Sequence, residues 1–191
     1  TYWEAVREDI LAQLRILALS MGSSLSQVVG DNFLFTLVGA LIAPWGCHIF
    51  SIGDGAYALN GKFYEIGPFP GNKPPYPAYG MLRSNIDPGL LQFRIHQSLA
   101  VGNLDSLMVA SDGLVDFACA DEFKVPGRQE LVGPVTQFWE DASFFENRDR
   151  VRRRLAAVNK TVVRPDWENL QMKREPGLLT DDTTLVVVRR K

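Results

Sequence analysis

The chain is poor in sulfur and in histidine, with two cysteines and two histidines among 191 residues. They lack the short-range pairing of a zinc site. Cys47 and Cys119 each lie in apolar sequence, which predicts buried thiols rather than a disulfide. No apolar run is long enough to span a bilayer, and no secretory signal opens the chain. A cytoplasmic protein without a membrane partner is therefore expected, and the sequon Asn159-Lys160-Thr161 is read as chance. The net charge of −2 argues against a broad basic surface for nucleic acid. No G-x-G-x-x-G follows a strand and no phosphate-loop lysine motif occurs, which argues against a nucleotide-binding doubly wound fold. Internal repeats are absent as well. The one dense basic stretch, residues 148–154, reads as the solvated face of a helix. It also reads as a dock for acidic or phosphorylated partners, because arginine grips phosphate oxygens in pairs.

What is present suits a folded core. Apolar residues make up 46% of the chain, and its length predicts one domain over residues 1–191. Residues 2–21 repeat apolar side chains (Trp3, Val6, Ile10, Leu14, Leu17, Met21) at three- and four-residue steps, the mark of an amphipathic helix. Strand-forming runs follow at 33–42 and 47–52, the first stopped by Pro44. Two more, at 56–59 and 62–66, flank Asn60-Gly61, a pair that favours a two-residue hairpin because both turn residues need positive φ. Residues 68–79 are proline-rich loop. Residues 91–99 alternate apolar and polar, which puts His96 on a polar, surface side. Residues 106–110 form a short apolar run, expected to be a strand buried on both faces. Helical sequence in two parts is expected over 133–160, irregular chain over 161–179, and a strong closing strand over 183–189. This order is that of an α+β fold with mostly antiparallel pairing.

Aspartates stand at three strand ends. Asp54 follows one strand inside Gly-Asp-Gly, and Asp112 follows another inside Ser-Asp-Gly. Asp181 and Asp182 precede the last strand. In antiparallel neighbours the end of one strand lies beside the start of the next. Asp112 and Asp181 can therefore meet at one sheet edge, and Asp54 can join them from a third strand. Two carboxylates ~4 Å apart repel by roughly 4 kcal/mol at an effective dielectric near 20. Protonation or a cation must relieve that. Oxygen-only ligands suit Mg²⁺ or Mn²⁺. A pair of such ions can acidify a shared water and aim it at phosphorus. Taken singly, each Asp-Gly is also an ordinary turn, since Asp caps its own backbone and Gly takes positive φ.

Flanking sequence distinguishes these alternatives. His48-Ile-Phe-Ser-Ile-Gly-Asp-Gly-Ala-Tyr-Ala-Leu-Asn-Gly-Lys-Phe-Tyr resembles the strand, Gly-Asp-Ser-Arg turn and hairpin of the PP2C-type metal-dependent serine/threonine protein phosphatases. Val109-Ala-Ser-Asp-Gly-Leu-Val-Asp is similar to that family's apolar strand, Asp-Gly and helix start. Leu179-Thr-Asp-Asp-Thr-Thr-Leu-Val-Val-Val is similar to its closing segment. The likeness runs from about Tyr2 to the end and is nearest the divergent bacterial branch. It implies a PP2C-like sandwich of two antiparallel β-sheets flanked by α-helices. It also implies two core Mg²⁺ or Mn²⁺ ions, with Asp112 and Asp181 on the same one, and Asp54 at a weaker third. The implied substrate is a phosphorylated protein, hydrolysed at phosphoserine or phosphothreonine in bacterial signalling.

Departures accompany the likeness. Gly53-Asp54-Gly55-Ala56 lacks the family's Ser and Arg. The Asp-Gly-His-Gly and Arg…Asn-Glu-Asp motifs do not occur, and neither His48 nor His96 matches the motif histidine. A chain that begins after those motifs is one expectation, and a catalytically inactive binding module of the same fold is the alternative. Arg83, in a loop, is a candidate phosphate contact.

Overall fold

A computed structural model describes residues 1–82, 86–167 and 169–190. It holds helices and antiparallel strands in two compact units. The first unit comprises Thr1–Gly55 and Glu65–Leu104, the second Ala56–Tyr64 and Asp105–Lys191.

In the first unit, α1 (Tyr2–Ser20) opens on a capping box. Thr1 accepts from the Glu4 amide while Glu4 reaches back to the N-terminus. Two donors that the first turn cannot satisfy are thereby met. Its inward face carries Leu11 and Ala18, whereas Leu17 and Met21 are exposed. The expected stripe is thus displaced along its C-terminal half, and Arg7 joins the inward side by donating to the Leu91 carbonyl at 2.7 Å. A second helix, α2 (Leu25–Asn32), is capped by Ser24, which accepts from the Gln27 amide. Leu11, Val29, Ala78 and Met81 form the core beneath these helices.

The same unit holds a three-stranded antiparallel sheet in the order β1-β2-β5, with β1 at Leu37–Ala43, β2 at Gly46–Ile52 and β5 at Arg94–Leu99. Pro44 and Trp45 make the β1–β2 turn, as proline at a strand stop requires. A bulge between Ile49 and Phe50 shifts the β2–β5 register. His96 is half-buried rather than on the surface, and its Nε2 lies 2.8 Å from the Oγ of buried Ser51. Alternation assigned it to the polar face correctly, but that face meets Ser51 on the neighbouring strand.

The second unit is built on a four-stranded sheet in the order β4-β3-β6-β9. Here β3 is Gly55–Leu59, β4 Lys62–Ile66, β6 Ser106–Ala110 and β9 Leu185–Arg189. The Asn60-Gly61 hairpin has φ of 48° and 85°, as its chemistry predicts. The Asn60 side chain also accepts from the Asp105 and Ser106 amides, which ties the turn to the start of β6. Strand β6 is flanked on both sides, with Leu107, Met108 and Ala110 buried.

Four helices accompany this sheet: α3 (Gly113–Cys119), α4 (Gln137–Glu140), α5 (Ser143–Glu146) and α6 (Arg150–Val158). Phe117, Phe138 and Phe144 stack edge-on or tilted at 5.0 and 5.1 Å between ring centroids, within a core that includes Met108, Leu114 and Val158. Cys47 is buried as expected, and burial pushes its thiol upward in pKa. Cys119, at the end of α3, is exposed, contrary to expectation. The expected irregular stretch before the last strand instead contains an antiparallel hairpin of β7 (Val162–Asp166) and β8 (Gln171–Glu175). Its inner face rests on Gly127, whose amide donates to Glu175 at 2.8 Å and whose carbonyl accepts from Arg164. Among the described residues no helix is long and apolar enough to cross a membrane.

Candidate functional site

The residues of interest in the second unit lie where β6 ends and β9 begins. Antiparallel pairing sets Ala110 opposite Leu185. The chain therefore leaves β6 at Ser111-Asp112-Gly113 beside the segment that enters β9 at 181–184. Ser111 joins the two. Its amide donates to the Thr184 carbonyl at 3.0 Å. Its hydroxyl donates to the Asp182 carbonyl and accepts from the Thr184 amide, both at 3.0 Å.

Gly113 sits too close to this segment for any side chain. A Cβ there would lie 2.5 Å from Thr183 Oγ1, 3.0 Å from the Asp182 carbonyl oxygen and 3.1 Å from that of Asp181. Farther along α3, Asp116 accepts from the amide and hydroxyl of Thr180, a second tie between the same elements.

Asp112 caps α3, accepting from the Gly113 amide at 3.0 Å through Oδ1. Asp181 Oδ1 accepts from the Asp182 amide at 2.7 Å. Both aspartates are exposed. For each, Oδ2 has no hydrogen-bond or ion-pair partner among the described residues. The turn role that any Asp-Gly suggests is thus real at Asp112, and it consumes one carboxylate oxygen rather than two. Strand pairing brings these two segments together, and the Ser111 amide and hydroxyl bonds hold them there.

Asp54 belongs to the first unit. It is half-buried between Gly53 (φ 89°) and Gly55 (φ 144°). Gly53 is pressed against Thr36, where a Cβ would lie 2.4 Å from Cγ2, so the sharp turn at Asp54 depends on the absence of a side chain. Among the described residues no group of three or more His, Cys, Asp and Glu side chains gathers as a metal cluster. The oxygen-only donors Asp112 and Asp181 have the chemistry a hard divalent cation takes. Arg83 lies outside the described residues.

Sequence inspection alone misses Ser111, whose small hydroxyl carries no motif beyond its place before Asp-Gly. It also misses a pocket of about 500 Å³ between α6 and the entry to β9. The basic run divides there. Arg154 turns inward to Gln137, Glu130 and the Leu131 and Val132 carbonyls, whereas Arg148 and Arg152 line the pocket.

No protein-family model matches the chain. No curated protein matches it either. Two solved structures are similar to it, both of the phosphatase domain of the cell fate determinant SpoIIE from Bacillus subtilis. The one presoaked in Mn has 16% identity and a TM-score of 0.34 over 94% of this chain and 72% of that one. The other has 13% identity and a TM-score of 0.30 over 98% and 72%.

Proposed function

We propose that this chain carries part of the catalytic machinery of a PP2C-type phosphoprotein phosphatase, with that family's two-sheet sandwich as its fold. Asp112 and Asp181 would hold one divalent ion, Mg²⁺ or Mn²⁺, and Asp54 would serve a further ion. Ions bound there would supply charge neutralisation and an activated water for attack on a phosphoserine or phosphothreonine ester. The chain's own contribution is positional. The Ser111 bonds and the close approach at Gly113 hold the chain that bears Asp112 against the segment that bears Asp181, and each acid keeps one oxygen unpaired.

The single observation that supports this reading is the stitching of Ser111-Asp112-Gly113 to residues 181–184. The test is uptake of Mn²⁺, followed by the loss of its free-ion paramagnetic signal, together with Mn²⁺-dependent turnover of p-nitrophenyl phosphate. Asp112→Ala and Asp181→Ala are each expected to lose both. Equal uptake by the wild type and the two variants would falsify the metal role and leave the aspartates as turn residues. A second reading, a binding module of the same fold without catalysis, is favoured by Gly55-Ala56 in place of the family's Ser and Arg. Uptake of a phosphopeptide without turnover is the outcome that selects it.

A further inference from the structure

Arg152 and Arg154 of α6, and Arg148 two residues before it, do different work. Arg154 is locked into the fold. Arg152 pairs with Asp149 at 3.1 Å, but its side chain is 78% exposed, so the pair is weak and easily exchanged for another anion. Arg148 is exposed, and among the described residues it has no hydrogen-bond or ion-pair partner. Both Arg148 and Arg152 line the pocket of about 500 Å³, together with aliphatic Leu155 and Leu185. Asp182, Thr183 and Thr184 line it as well. They belong to the segment bonded to Ser111, one residue from Asp112. The lining thus combines aliphatic side chains with two guanidinium groups.

We propose that this pocket receives the acidic flank of a phosphorylated protein substrate, an aliphatic side chain against Leu155 and Leu185 and a carboxylate or second phosphate on Arg148 and Arg152. The proposal rests on the phosphatase reading above and names the substrate class that reading leaves open. An extended peptide advances about 3.3 Å per residue. A peptide with its phosphorylated residue at Asp181 therefore has flanking residues within reach of the pocket that Asp182, Thr183 and Thr184 line. Charge favours an acidic flank, since two arginines and one carboxylate, Asp182, line the pocket, and guanidinium groups bind carboxylate and phosphate through paired donors.

The test uses the intact chain in Mn²⁺ buffer and a fluorescein-labelled phosphoserine peptide. Asp and Leu stand among the three residues after the phosphoserine, and a second peptide has Lys for Asp. Anisotropy is expected to show the acidic peptide bound about fivefold more tightly by the wild type. That preference is expected to vanish in the Arg148→Glu, Arg152→Glu protein. Arg148→Gln, the milder change, is expected to reduce it, so a double variant that folds poorly does not end the test. Equal affinity for the two peptides, no binding of either, or a preference that survives in the variants overturns the proposal. Turnover of p-nitrophenyl phosphate, which has no flank, reads the phosphatase function separately. Charge-selective binding without turnover keeps the pocket and removes catalysis. Turnover with charge-blind binding does the reverse.

Discussion

Replacing Gly113 by Ala tests the frame of the site without touching either acid. The new Cβ would lie 2.5 Å from Thr183 Oγ1 and about van der Waals overlap distance, 3.0 and 3.1 Å, from two backbone carbonyl oxygens. The hydroxyl can rotate away, but the carbonyls move only if the entry to β9 moves. Overpacking of this kind costs about 1–3 kcal/mol. Alanine's better helix propensity at the start of α3 returns up to about 1 kcal/mol. The net expectation is a loss of roughly 1–2 kcal/mol, and more if the shift breaks the two Ser111 hydroxyl bonds, each worth ~1 kcal/mol. Gly30→Ala is the matched control. Gly30 is exposed on α2 and its Cβ would meet nothing within 4 Å. That change is expected to stabilise by about 0.5–1 kcal/mol. At a urea slope of roughly 2 kcal/mol per molar, the Gly113 variant's midpoint falls by ~0.5–1 M and the control's rises by ~0.3–0.5 M. Mn²⁺ uptake is expected to weaken in the first and persist in the second. A Gly113→Ala protein as stable as the wild type, with undiminished Mn²⁺ uptake, would refute the close approach as the device that fits the start of α3 against residues 181–183.

Arg154→Ala removes a side chain that donates to Gln137, Glu130 and two backbone carbonyls, so a loss of about 2–3 kcal/mol in urea unfolding is expected. Arg153→Ala, at 70% side-chain exposure, is expected to stay within about 0.5 kcal/mol, and equal losses would contradict the division of the basic run. Burial first, and the charge of Arg94 second, hold the His96 imidazole below its ordinary pKa of 6.5. The neutral ring is then the native form, and the unfolded chain takes up the proton first as pH falls. Its contribution is complete above 6.5 and is lost as pH drops from there through the folded value. Urea midpoints at about pH 7.5 and about pH 5 are expected to differ more in the wild type than in His96→Gln, and equal differences would count against the buried Ser51–His96 pair.

Local chemistry was legible where a short stretch decides its own conformation. The Asn60-Gly61 turn, the Pro44 stop and the apolar strand 106–110 all stand as their residues predict. Features decided by a distant partner were not. The β7–β8 hairpin was hidden because Pro165 and exposed polar residues weaken its strand pattern, while its anchor, Gly127, lies far upstream. Helix α1 carries apolar residues on more than one face, so periodicity alone could not choose Leu11 and Ala18 over Leu17 and Met21. The short helix α2 has few apolar positions to reveal it. At the candidate site, strand-end logic brought Asp112 and the 181–184 segment together. It could not reveal that a serine hydroxyl, rather than the acids, makes the connection, nor that arginines of one run would part company.

That division of labour between neutral and charged groups has a practical consequence. Ser111 holds the loop by uncharged bonds, so its contacts survive amidation of Asp112 and Asp181. Asp112→Asn and Asp181→Asn thus change electrical character while leaving architecture intact, and any altered behaviour of those proteins reports on negative charge itself.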